Sequence, residues 1–99
     1  MKTIAVDWDS TLYSDETGWL PDAKRALKVL KRRGFKVVIH SCRAKYPVGE
    51  QYIRAALFTA GLDLEVTAVK PDADVYLDDK ALRFEGDWPA ALRQIREGM

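Results

Sequence analysis

Two aspartates one residue apart, Asp7 and Asp9, close the short apolar run Ile4-Ala5-Val6, and a second acidic pair, Asp78-Asp79, closes Val75-Tyr76-Leu77. Between them Ser41 follows the run Val37-Val38-Ile39-His40, and Lys70 precedes the last run. Like-charged carboxylates at close range repel and desolvate one another, so such a group needs a shared proton or a divalent cation. Mg²⁺ takes oxygen ligands, keeps several waters and completes its shell with substrate phosphate oxygens. Asp7, the backbone carbonyl of Asp9 and Asp78 can supply the protein's share. A hydroxyl at Ser41 and an ammonium at Lys70 suit non-bridging phosphate oxygens, where they would stabilise charge moving during phosphoryl transfer. Each residue also has a plainer reading: Asp-x-Asp and a strand-end serine both form turns, and a lone lysine is usually solvated.

For these groups to meet, the apolar runs must be parallel strands that end on one edge. Ile4 to Val6 reads as a central strand buried on both faces. Side chains alternate along a strand, so Asp7 and Asp9 project to the same side at or just past its carboxyl end. Open parallel sheets bind their ligands at that edge. Tyr13 to Trp19 is a polar, glycine-containing loop placed to rim or cover the site. Leu20-Pro21-Asp22 predicts a helix start, with Ala23, Ala26, Leu27 and Leu30 inward and Gly34 as the C-cap. Phe35 to His40 is the second strand and delivers Ser41, Cys42 and Arg43 together.

Pro47-Val48-Gly49 reads as a turn, and Glu50 to Ala60 as a helix with Tyr52 or Ile53, Ala56, Leu57 and Ala60 inward before Gly61. Leu62 to Val69 alternates like a third strand near the sheet edge, and Ala73 to Leu77 is a fourth built like the first. Ala81-Leu82-Arg83-Phe84 reads as a short outer strand. Asp87-Trp88-Pro89 opens a last helix, with Asp87 as its cap and Ala91, Leu92 and Ile95 inward. Strands alternating with helices predict an α/β fold: a single-domain, Rossmann-like parallel sheet flanked by helices.

With 99 residues, 47% of them hydrophobic and 31% charged, residues 1–99 have the makeup of one globular domain. A net charge of +1 and a basic helix face without interleaved aromatics give no specific nucleic-acid signal. No apolar run approaches the roughly 18 residues of a membrane span, so no membrane association is expected. The single cysteine, Cys42, excludes an internal disulfide and a cysteine-rich zinc site. With no signal-peptide core after Met1-Lys2, the expected location is cytoplasmic. Cys42 reads as a small buried residue and His40 as packed or hydrogen-bonded within its strand. Trp8, Trp19 and Trp88 read as packing residues, the mouth of the site being the alternative place for the first two. Arg43 has two readings, a clamp on substrate or a brace for the site.

The motifs, in this order, resemble those of the haloacid dehalogenase (HAD) superfamily, specifically its small, cap-less phosphatase-like branch. Asp7-Trp8-Asp9-Ser10-Thr11 is similar to the first motif, Asp-x-Asp-x-Thr, Ser41 to the second, Lys70 to the third and Asp78-Asp79 to the fourth. The resemblance spans nearly the whole chain. It implies a HAD-like core without a cap domain, Mg²⁺ as cofactor, and Asp7 as a nucleophile that forms an aspartyl-phosphate. Asp9 would be the general acid for the leaving oxygen and then the base for water. Ser41 and Lys70 would complete the catalytic set. Thr11, Ser41, Arg43 and Lys70 would bind substrate. Asp7, Asp9 and one of Asp78 and Asp79 would hold the metal, with Asp78 favoured. Three features depart from the family pattern: Ser10 where many relatives have glycine, Trp8 where they often have Phe or Leu, and Lys70 close to Asp78.

The activity implied is that of a Mg²⁺-dependent phosphatase, a phosphomonoester hydrolase. The alternative is a HAD-like binding or regulatory module without turnover, against which the presence of all five core groups counts. A two-component receiver domain carries its acidic pair early and its lysine late, the reverse of this order. Eight residues between Leu12 and Pro21, and 28 between Ser41 and Lys70 that are used by a helix and a strand, leave no room for a cap. An open site cannot enclose a small molecule to exclude water. The expected partner is therefore a phosphorylated substrate of macromolecular size, or a neighbouring subunit serves as the lid; nothing in the sequence sets the oligomeric state.

Overall fold

The computed structural model describes residues 2–80 and 86–97, and the expected outer strand at 81–84 lies outside the described residues. In chain order the elements are β1 (Thr3–Asp7), the hairpin strands β2 (Tyr13–Ser14) and β3 (Gly18–Trp19), α1 (Ala23–Arg32) and β4 (Lys36–His40). A short 3₁₀ helix (Cys42–Lys45), α2 (Pro47–Thr59), β5 (Glu65–Thr67), β6 (Val75–Leu77) and α3 (Trp88–Glu97) follow. The four longer-range strands form a parallel sheet in the order β5-β4-β1-β6, which with its helices makes an α/β, Rossmann-like fold.

Continuous apolar runs put β1 and β4 at the centre, since Ile4, Ala5 and Val6, like Val37, Val38 and Ile39, are buried on both faces. Alternation sends Ile4, Val6, Val37 and Ile39 to one side, where they cluster with Leu27 of α1 and with Ile53 and Leu57 of α2. Leu62, Leu64 and Val66 join the same cluster, as their period of two predicts, although only Glu65–Thr67 is paired with β4. Gly34, at φ +87°, ends α1 as predicted, and the N–H of Phe35 returns to the carbonyl of Leu30 at 3.2 Å.

Several local expectations are corrected. The Tyr13–Trp19 loop contains the small antiparallel β2–β3 hairpin. Pro21 lies in a turn before α1, and Asp22 takes a left-handed conformation at φ +64° without a side-chain cap. Ala26 of that helix is exposed. Pro47-Val48-Gly49 is the first turn of α2, since proline suits a position whose N–H has no helical partner. Gly49 is needed there because a Cβ at that position would collide with the carbonyl oxygen of Arg43. The strand β6 does not repeat the burial of β1: among the described residues it lies at the edge of the sheet, and Val75, Tyr76 and Leu77 are 42–44% exposed. On α3, Asp87 caps the helix by accepting the N–H of Ala90 at 3.2 Å and Ala91 is buried, but Leu92, Ile95 and Trp88 are exposed. Among the described residues no helix is long and apolar enough to cross a membrane.

Candidate functional site

The sheet register brings the expected groups to one edge. Asp7 of β1 is level with His40 of β4, and Val6 with Leu77 of β6, so three neighbouring strands release Asp7, Ser41 and Asp78-Asp79 side by side. Carboxylate oxygens of Asp7, Asp78 and Asp79 lie within 4.8 Å of one another, with Asp7 half-buried and the other two exposed. Thr11 ties the two sides together: its Oγ1 donates to Asp7 Oδ2 at 3.4 Å and accepts the N–H of Asp79 at 3.1 Å. Asp78 Oδ1 accepts the N–H of Lys80 at 2.8 Å, which helps fix the carboxylate.

Burial, first, and the charge of Asp78, next, push the Asp7 carboxyl above its ordinary value near 3.8. A hydrogen bond from the backbone of Trp8 opposes this, while Asp79 and Asp9 add to it. A cation among the three carboxylates would remove the penalty. Three hard oxygen donors, one on a rigid strand end and two facing water, fit a Mg²⁺ that keeps several of its waters.

Beyond Asp7 the chain folds back on itself. The N–H groups of Leu12 and Tyr13 both donate to the carbonyl of Trp8, at 3.0 and 3.1 Å, and that of Ser10 donates to Tyr13 at 3.0 Å. Ser10 sits at φ +63°, a conformation glycine adopts more cheaply. Under this loop Trp8 is fully buried, stacked on Tyr13 at 4.9 Å and edge-on to Trp19 at 5.2 Å. Its indole N–H has no hydrogen-bond partner among the described residues.

Asp9 stands outside the three-carboxylate cluster and is gripped by Arg43, with Nη2 at 2.8 Å from Oδ1 and Nε donating to Oδ2 at 3.1 Å. The same Nη2 reaches Asp15 Oδ2 at 2.6 Å, in the turn of the β2–β3 hairpin. The two carboxylates raise the guanidinium's pKa still further above its ordinary value. Ser41, 3% exposed, accepts the N–H of Arg43 on its Oγ at 3.2 Å and so caps the 3₁₀ helix. Among the described residues its hydroxyl proton has no acceptor and can donate.

Arg43 therefore braces acids in this state. Lys70 is elsewhere: its Nζ lies 4.8 Å from the ring centre of Tyr76, and among the described residues no ion pair joins it to an acid. Cys42 is exposed, not buried, because the 3₁₀ helix turns it outward, and His40 is half-buried. Asp15 is the residue that sequence reasoning passed over. Its only signal was an acid in the loop next to the first motif, and nothing in the local sequence pairs it with Arg43, 28 positions on. A groove of about 570 Å³ runs along α2 past Leu57, Phe58, Leu62 and Leu64, but Asp7, Asp78 and Asp79 do not line it, and Asp78 and Asp79 stand exposed.

In comparisons with known proteins the chain matches no sequence family and no curated protein. Among solved structures it is similar to a conserved protein coded by a locus from Bacteroides thetaiotaomicron, with a TM-score of 0.68 and 23% identity, covering 99% of this chain and 92% of that one. At that identity the likeness bears on the fold alone.

Proposed function

We propose that this chain is a Mg²⁺-dependent phosphomonoester hydrolase of the HAD type. The observation that carries the reading is the convergence of Asp7, Asp78 and Asp79 within 4.8 Å at the ends of neighbouring strands, with Thr11 bonded to both sides of the cluster. An Asp7 oxygen attacks phosphorus as the ester P–O bond breaks, and Asp9 gives its proton to the leaving oxygen. Water then attacks the same phosphorus, Asp9 takes its proton, and the bond to Asp7 breaks to release inorganic phosphate. Bound Mg²⁺ supplies neutralisation of the charge between carboxylates and phosphate oxygens. The free hydroxyl proton of Ser41 is available to a phosphate oxygen. The absence of a cap among the described residues fits a large phosphorylated substrate, and a cytoplasmic, reducing setting goes with a single exposed cysteine.

The test is a panel of phosphomonoesters, including phosphorylated nucleic-acid ends, sugars and peptides, assayed with and without Mg²⁺. Turnover that needs Mg²⁺, with acid-stable label trapped on wild type and not on Asp7→Asn, supports the reading. Asp9→Asn is expected to lose about 10²- to 10⁴-fold. Activity of Asp7→Asn within tenfold of wild type would remove Asp7 from the nucleophile's role. A second reading, a binding module without turnover, is favoured by the seat of Lys70 over Tyr76 instead of among the acids. It predicts Mg²⁺ binding with no turnover anywhere in the panel.

A further inference from the structure

Asp9, the acid and base of the reading above, does not set its own direction. Its carboxylate is held by the two-pronged contact of Arg43, through Nη2 and Nε at 2.8 and 3.1 Å, and a carboxylate held by two nitrogens of one planar guanidinium has its plane and its angle defined. The guanidinium is located in turn from both ends. Its backbone is pinned, because Ser41 Oγ accepts the Arg43 N–H and the first turn of α2 presses on the Arg43 carbonyl through the bare Gly49. Its far end is pinned by Asp15 at 2.6 Å, the shortest of its three contacts.

Arg43, Asp9 and Asp15 have side chains that are 36%, 48% and 58% exposed. Ion pairs that open to water contribute about 0–1 kcal/mol to folding. Little stability is therefore at stake in this chain of contacts, and its consequence is orientation. The β2–β3 hairpin that carries Asp15 is itself anchored by Tyr13 and Trp19 packed on the buried Trp8, so it is a fixed support.

We propose that Asp15 is a positioning residue for Asp9, acting through the guanidinium of Arg43; the kinetic consequence rests on the phosphatase reading of this same site. With Asp15 neutralised, Arg43 swings, Asp9 loses its fixed orientation, and misplacement of an acid by about an ångström costs rate and not binding.

Steady-state kinetics of Asp15→Asn on glycerol 2-phosphate, whose alkoxide needs a proton to leave, with Mg²⁺, beside the exchange of the Arg43 Nε–Hε signal by NMR, tests this. The expected result is kcat lower by about 10- to 100-fold, KM within about twofold, an unchanged Tm and several-fold faster Nε–Hε exchange. Asp15→Glu restores most of kcat, and Glu16→Gln, an acid of the same turn that touches neither Arg43 nor Asp9, behaves as wild type. An unchanged kcat, a kcat loss with an unaltered Arg43 signal, or a Tm loss of many degrees each overturns the proposal. If wild type turns over no phosphomonoester with Mg²⁺, the phosphatase reading falls; faster Nε–Hε exchange in Asp15→Asn still supports the positioning of Asp9, and equal exchange overturns it.

Discussion

The hydroxyl of Thr11 accepts the backbone N–H of Asp79 at 3.1 Å across 68 positions of sequence, while donating to Asp7 at 3.4 Å. One side chain thus joins the ends of β1 and β6 and orients two members of the acidic cluster. Groups that orient metal ligands from behind typically change metal affinity 10–100-fold when removed. Thr11→Val is expected to weaken Mg²⁺ binding by about that factor in calorimetric titration, while Thr11→Ser, which keeps the oxygen, stays close to wild type.

The two acids after β6 differ in their contacts. Asp78 is the stronger electrostatic neighbour of Asp7, whereas Asp79 is bound through its backbone to Thr11. Asp78→Ala is expected to weaken Mg²⁺ binding more than Asp79→Ala. The opposite order in the same titration transfers the main ligand role to Asp79.

The raised pKa of Asp7 has a consequence for stability. An acid that holds its proton more tightly folded than unfolded makes the folded state less stable as pH rises from the ordinary value near 3.8 through the folded one, and the penalty persists above that window. Asp7→Asn removes the charge. Without divalent cations its Tm is expected to exceed that of wild type by a few degrees at pH 7, the gap closing toward about pH 4. Mg²⁺ at about ten times its Kd should stabilise wild type by about 1.4 kcal/mol and the variant by less. A lower Tm for the metal-free variant at pH 7 would contradict the repulsion.

Trp8 fills the space under the loop that follows Asp7 yet leaves its indole N–H unpaired among the described residues. Burying such a donor costs about 1–3 kcal/mol, which offsets part of what the larger ring contributes. Trp8→Phe is therefore expected to change stability by no more than about 1 kcal/mol in a denaturant titration. Trp8→Ala, which empties the site between Tyr13 and Trp19, should cost about 3–5 kcal/mol.

The open site predicts a preference by substrate size. Only the β2–β3 hairpin stands between β1 and α1, and only the 3₁₀ helix, α2 and β5 between Ser41 and Lys70. The same phosphate group is expected to give a higher kcat/KM on an oligonucleotide, peptide or glycan than on a small alcohol. A monomeric enzyme that prefers the small ester refutes the argument from the missing cap.

The sequence alone determined the four strands of the parallel sheet and the edge on which Asp7, Ser41 and Asp78-Asp79 gather. Those follow from local rules: continuous apolar runs such as Val37-Val38-Ile39 make central strands, and the strand period carries Asp7 and Asp78 to neighbouring ends once the strands are parallel. The tertiary structure decided which charges face one another. Arg43 lies two positions after Ser41 and Asp15 in a loop of no hydrophobic period, and only the packing of the hairpin on Trp8 brings them to 2.6 Å. The burial of β6 was likewise beyond local reading, for Val75, Tyr76 and Leu77 are apolar like β1 but exposed, at the border of the sheet among the described residues. Whether an apolar strand is covered depends on which neighbours the chain returns to it, a property of topology and not of the strand's own residues.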